Sequence, residues 1–267
     1  MKPISILCSL LLITTFAVSS ETKVEDETLN NSAAMVYQVG TLNSLLAGVY
    51  EGNISINEVS NFGNFGLGTV NAVNGEMVAL DNNFYRIDAN GNAHSAKNMN
   101  TPFAVVTNFK TSKNYPLGEY DTMDSIHKYI ETKFNSKNLI YAVSISGDFS
   151  SVRLRSECAQ PEGHKPLIET IAKVENKYKF NNVKGTIVGF WFPKYMKNIN
   201  VTGFHFHFLN DKNTKGGHML GMKLKRGVLK IMPIYDFRMH LIDTERFRKT
   251  NLNLDFKDAA KKVEHKR

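Results

Sequence analysis

Cysteine is nearly absent: the 267 residues hold two, Cys8 and Cys158. Cys8 sits inside an N-terminal apolar run that is expected to be removed, so the mature chain keeps one thiol and no intrachain disulfide. A thiolate metal cluster, which gathers several cysteines, goes with it. Cys158 has no neighbouring histidine, which argues against a catalytic thiol. Long hydrophobic runs are also lacking. Residues 4–18 of "MKPISILCSLLLITTFAVSS" form the longest, interrupted by Ser9, Thr14 and Thr15. A membrane span needs about 20 apolar residues. An early lysine, a short apolar stretch and small residues at its end are instead the pattern of a secretory signal over residues 1–20, with cleavage near Ser19 or Ser20. The mature protein is expected to be exported, soluble and free of the membrane. No phosphate-binding glycine loop is present to suggest an organic cofactor.

What remains is globular: 42% of residues are apolar and 22% charged, enough for a sizeable core. The net charge is +8, but the lysines are scattered, with small clusters at 223–226 and 257–267. Neither cluster interleaves aromatic residues, and no nucleic-acid module is recognisable. The charge reads as a solvated basic surface, and no nucleic-acid partner is expected.

Residues 21–34 are polar and aperiodic, a flexible lead-in. A strand at "VYQVG" then precedes a helix over 41–50, where Leu42, Leu45, Leu46 and Val49 share one face. The stretch "GTVNAVNGEMVALDNNFYRIDANGNAHS" reads as a meander, with turns at Asn74-Gly75, Asp81-Asn82 and Asn90-Gly91. "FAVVTNF" reads as a strand, and Met123, Ile126, Ile130 and Phe134 keep helical spacing. "LIYAVSISGDF" and "SVRLRS" read as two further strands. Proline, glycine and charge accumulate after Cys158, which places a boundary between an N-terminal unit, 35–165, and a C-terminal metal-binding unit, 166–267. "GTIVGFWF", "INVTGFHFHFL" and "GGHMLGMKLKRGVLKIMPIYDF" supply the strands of the second unit. A faint likeness between "GLGTVNAVNGEMVAL" and "GHMLGMKLKRGVLKI" reads as two similar hairpins, with Gly75 and Gly227 as turn glycines, from duplication of one α/β unit. The fold class expected is mixed α/β (α+β): two related subdomains with mixed, largely antiparallel sheets and a few packed helices.

The stretch "GFHFHFLNDKNTKGGH" concentrates three of the eight histidines. On a strand, His205 and His207 share a face while Phe204, Phe206 and Phe208 take the other. A reversal through 210–217 would return His218 beside the pair, with Gly216 and Gly217 permitting close approach. One histidine on an apolar strand is usually a core residue with a partner. Three converging ones fit metal ligation better, and three imidazoles without thiolate fit an open, catalytic site. Zinc is the default ion, with manganese, iron or copper also compatible with the ligand type. The other five, His94, His127, His164, His240 and His265, read as surface or structural.

"FHFHF" looks like the zinc strand of an alpha-type carbonic anhydrase, but that family's third ligand comes much later. A cupin would place a glutamate where this chain has Leu209, Asn210 and Asp211. A third likeness covers nearly the whole mature chain. "GTIVGFWFPKY" and "INVTGFHFHFLNDKNTKGGHMLG" resemble segments of the acetolactate decarboxylase family, and "VYQVGTLNSLLAGVYEG", "GLGTVNAVNGEMVALDNNFYRI" and "SVRLRS" are similar to further segments of it in the same order.

That resemblance implies non-oxidative loss of carbon dioxide from 2-acetolactate to give acetoin. A metal ion would chelate the substrate's ketone and hydroxyl oxygens and stabilise the enediolate left when the C–C bond breaks. The family's zinc histidines carry onto His205, His207 and His218, and its glutamate after the "NG" turn onto Glu76, as proton donor, base or ligand. Its arginine falls on Arg155, suited to hold a carboxylate or oxyanion. Thr69 matches a position beside the metal, and Glu264 a C-terminal glutamate that returns to the site. A homodimer is compatible with the resemblance. Two other readings of the same histidines stay open: a secreted zinc hydratase or hydrolase using metal-bound hydroxide, and a non-enzymatic exported metal-binding β protein.

Overall fold

The computed structural model describes residues 34–111, 113–160 and 165–253. The expected signal, most of the lead-in and Glu264 lie outside the described residues. In chain order the elements are β1 (Met35–Val39), α1 (Leu42–Leu46), β2 (Ile54–Ser55), α2 (Ile56–Val59), β3 (Phe65–Thr69), β4 (Glu76–Leu80), β5 (Asn83–Ile87) and β6 (Ala93–Ser95). Then follow β7 (Asn100–Thr101), β8 (Ala104–Thr107), β9 (Asn114–Leu117), α3 (Met123–Glu131), β10 (Ile140–Glu157) and α4 (Leu167–Val174). The described chain finishes with β11 (Glu175–Phe192), β12 (Gly203–Asn210), β13 (Gly216–Ile234), β14 (Asp236–His240) and α5 (Glu245–Lys249).

Two sheets carry the fold. The first has seven strands in the order β14-β1-β8-β3-β4-β5-β6, antiparallel except for the parallel β1–β14 pair. The second has five strands in the order β10-β11-β12-β13-β9, and β10 also pairs with β13, so this sheet closes on itself. A shared core joins the two. Val36, Leu67, Val78, Ile87 and Val105 from the first sheet meet Ala142, Val188, Phe190 and Met232 from the second, together with α1 and α4. A separate apolar layer lies under α3, whose Ile126 and Ile130 pack against Val143, Ile145, Phe204, Phe206 and Phe208. This architecture is the mixed, largely antiparallel α+β fold expected.

Several elements differ from the sequence reading. α1 stops at Leu46 instead of reaching residue 50, because Gly48 adopts a φ of 88° and ends the helical path. Its start is as written: Thr41 caps it, accepting a hydrogen bond from the Ser44 N–H at 3.1 Å. The two strands read at 139–156 are one strand, β10, whose register against β13 shifts between Phe149 and Ser151. That bulge flips the alternation: Tyr141, Val143, Ile145 and Phe149 share a core with Val152 and Leu154. Gly227 is not a turn. It lies within β13 opposite Gly147, which faces Gly185 on β11. A Cβ on Gly147 would come within 2.4 Å of the Arg226 carbonyl oxygen. The glycines serve close strand approach, so the second of the two similar hairpins is a single 19-residue strand. Strands β10 and β11 pair from Tyr141–Trp191 to Glu157–Glu175, so the sheet crosses the division at 165/166. The charged stretch after Pro166 holds α4, whose Leu167, Ile171 and Val174 keep helical spacing that the sequence reading passed over.

Candidate metal centre

β12 presents its two faces as the alternation requires. Phe204, Phe206 and Phe208 enter the core under α3. His205 and His207 share the opposite face with Leu209, which belongs to the core between the sheets. The reversal after Asn210 is held by that residue's own side chain, which accepts from the Thr214 and Lys215 N–H groups at 2.8 and 2.9 Å. His218 then stands directly opposite His207 on the neighbouring strand. Gly217 is needed there: its φ is 149°, and a Cβ would lie 2.4 Å from the Tyr178 hydroxyl and 2.8 Å from the Arg155 carbonyl oxygen.

The three imidazoles are buried and offer nitrogens that all lie within 4.8 Å of one another. His205 Nε2 and His218 Nδ1 are 3.3 Å apart. Two nitrogens each about 2.0–2.1 Å from one tetrahedral ion would stand roughly 3.3–3.4 Å apart, so the spacing suits zinc. His207 Nδ1 lies 2.8 Å from the Met77 carbonyl oxygen. A carbonyl only accepts, so Nδ1 carries the proton and Nε2 presents its lone pair to the centre. Burial holds the His207 pKa well below the usual imidazole range, with the neighbouring His205 acting in the same direction. The neutral ring is the form that binds a metal.

The first sheet closes the centre from the other side. Glu76 opens β4 and is buried; its carboxylate lies 3.2 Å from His207 Nε2 and 3.8 Å from His218 Nδ1. The loop before it is strained. Ala72 and Val73 have φ values of 60° and 48°, unusual for any residue with a Cβ and more so for a β-branched one. Backbone bonds fix that loop: Ala72 N–H donates to the Tyr50 carbonyl, and Gln160 N–H donates to the Ala72 carbonyl. Thr69 Oγ1 donates to the Gly75 carbonyl at 2.7 Å, which holds the residue immediately before Glu76. Ser156 on β10 accepts from the Glu76 N–H at 3.2 Å and donates to the Ile87 carbonyl at 2.7 Å. Ser156→Ala leaves both groups without that partner, so the melting temperature should fall. The expected cost is about 1–3 kcal/mol; a melting curve superimposable on the parent's would contradict it.

Arg155 is buried beside His218 in the β10–β13 ladder. Arg153, on the same strand, is exposed and donates to the Leu220 carbonyl, away from the centre. Two carboxylates that the sequence reading did not single out flank Arg155. Its Nη1 lies 3.4 Å from Glu175 Oε2 and its Nε 3.8 Å from Glu157 Oε1. Glu157 and Glu175 face each other across β10 and β11, a like-charge pair that the guanidinium between them makes tolerable. The i, i+2 spacing of Arg155 and Glu157 was the available signal. Tyr178 was also missed: burial raises its pKa, and its hydroxyl donates to the Gly216 carbonyl at 2.8 Å, bracing the approach to His218.

The other described histidines stand apart. His94 bonds Asp88 at 2.8 Å, His127 stacks on Phe204 with ring centroids 4.3 Å apart, and His240 ends β14. His164 and His265 lie outside the described residues. A cavity beside the centre is lined by Thr69, Glu76, Arg155, Glu157, His205 and His218 together with apolar side chains.

Buried nitrogens at ligand spacing, with a carboxylate and a guanidinium at the same cavity, define a protein able to hold a metal ion at the wall of a small-molecule pocket. Residues 36–254 match the profile of a family described as alpha-acetolactate decarboxylase. The alpha-acetolactate decarboxylase of Brevibacillus brevis is 35% identical over 219 residues, 82% of this chain and 76% of that one. The Methanosarcina mazei protein of that name is 34% identical over 236 residues, 88% and 82% of the two chains. The crystal structure of alpha-acetolactate decarboxylase from Bacillus subtilis strain 168 superposes with a TM-score of 0.83 at 33% identity, covering 87% of this chain and 100% of that one. The chain belongs to the alpha-acetolactate decarboxylase family.

Proposed function

We infer that this protein is a carboxy-lyase that removes carbon dioxide from 2-acetolactate and releases acetoin, with zinc as its ion. The observation that carries the reading is the convergence of the His205, His207 and His218 nitrogens on one another, with the Glu76 carboxylate against His207 and His218 and Arg155 lining the same cavity. When bound, the ion supplies Lewis acidity toward the ketone and hydroxyl oxygens of the substrate.

The chain's own groups do the rest. Arg155 receives the substrate carboxylate, and its flanking glutamates keep the guanidinium in place. Cleavage of the C–C bond sends its electron pair into the ketone, leaving an enediolate and carbon dioxide. Glu76 delivers the proton that the carbon must gain, so one proton is consumed per turnover. Thr69 holds the peptide before Glu76 and thereby fixes where that carboxyl stands. Glu264 acts as a second acid, a role that rests on the family resemblance. The leader-like residues 1–20 support export, and homodimer formation is compatible with the family.

The test is direct: measure bound metal, then acetoin from racemic 2-acetolactate before and after a chelator. Stripping the ion should abolish acetoin formation and readdition of zinc should restore it. Stoichiometric metal with no acetoin would sink the decarboxylase reading in favour of a hydratase or a binding protein.

A further inference from the structure

The cavity beside the histidines has two kinds of lining. Polar groups come from His205, His218, Glu76 and Arg155, and apolar ones from Leu45, Val73, Phe103, Leu167 and Ile171. All five belong to the core between the sheets. A ligand seated there can set its oxygens against the polar groups and its carbon substituents against the apolar ones. The substrate of the decarboxylase reading, on which this inference rests, is divided in the same way: three oxygen-bearing groups, and two methyl groups with no polar partner to seek.

We propose that Leu167 and Ile171 of α4 set the size of alkyl group the enzyme accepts on the carbon that loses carbon dioxide. The two residues are one helical turn apart, so they present a continuous apolar strip. Both are buried, at 2% and 3% exposure. The helix is tied at each end: the Tyr50 hydroxyl donates to the Lys165 carbonyl at 2.6 Å, and the Cys158 N–H to the Val174 carbonyl at 3.1 Å. A wall held in this way does not yield to a larger group. Val73, by contrast, shares its strained loop with the approach to Glu76, so a change there disturbs the acid as well. No polar wall residue comes from α4, so its side chains can trim the cavity without touching the chemistry.

The experiment uses the metal-loaded, full-length protein and two substrates competing in one tube: 2-acetolactate and its homologue with ethyl in place of the 2-methyl group. The parent protein must first make acetoin; if it does not, the decarboxylase reading fails and not the assignment of the wall. Ile171→Ala should raise the ethyl-to-methyl ratio of kcat/KM by about tenfold, the lower end of what one methylene group contributes to discrimination. Leu167→Ala should move it the same way, and Ile171→Phe should lower it. Both substrates meet the same enzyme, so the ratio is independent of how much protein is folded. Should the alanine variants fail to accumulate, Ile171→Val carries the test with a smaller shift in the same direction. Ratios within twofold of the parent's across the variants that fold would overturn the assignment.

Discussion

His205→Ala is expected to lose both the metal and the activity. The ring is one of three buried imidazoles, with its Nε2 3.3 Å from His218 Nδ1. Two histidines and a carboxylate would remain, but zinc binding depends on the ligand count as well as their kind. Elemental analysis should show metal far below one equivalent, and acetoin production should drop to the level without enzyme. Far-ultraviolet circular dichroism separates this from unfolding, because β12 keeps its ladder to β11 through the backbone. A variant that retains one equivalent of zinc and full turnover would remove His205 from the ligand set. The three histidines would then be core residues that happen to converge.

Glu76→Gln comes next in size. The amide keeps the shape of the side chain but gives up its charge and its transferable proton. General acid or base catalysis by a positioned side chain contributes typically about 10²–10⁴-fold, and kcat should fall by an amount in that range. Metal content must be read alongside, because the carboxylate lies 3.2 Å from His207 Nε2 and could serve as a ligand. Lower kcat at full occupancy marks Glu76 as the proton carrier. Reduced occupancy that excess zinc makes good, with normal turnover, assigns it to holding the ion. A variant matching the parent in both quantities would leave Glu76 with no part in the reaction.

The local signals in the sequence were faithful wherever one strand or helix face decided the outcome. The alternation in "FHFHF" put the phenylalanines on one face and the histidines on the other, and the structure keeps them so: the phenylalanines pack under α3 and the histidines meet at the metal centre. "VYQVG" became β1, and Ile126 and Ile130 became the buried face of α3. What was illegible depended on partners remote in sequence. Gly227 looks like a turn residue until Gly147 is placed opposite it. The bulge near Ser150 leaves no mark in the alternation, because the faces swap inside one strand. Glu175 sits in a lysine-rich stretch that reads as solvent-facing, yet β11 brings it to Arg155. The aim of His207 depends on a carbonyl at Met77, and backbone atoms carry no sequence signature.

The centre also bears on how the molecule holds together. One sheet carries the three imidazoles; the other carries Glu76 and the Met77 carbonyl that aims His207. An ion held by the three histidines and by Glu76 as well would be a rivet through two plates, and its binding energy would then count toward keeping the layers shut as well as toward chemistry. Taking such a metal away would then do more than blunt a tool, because it would also draw out a fastener.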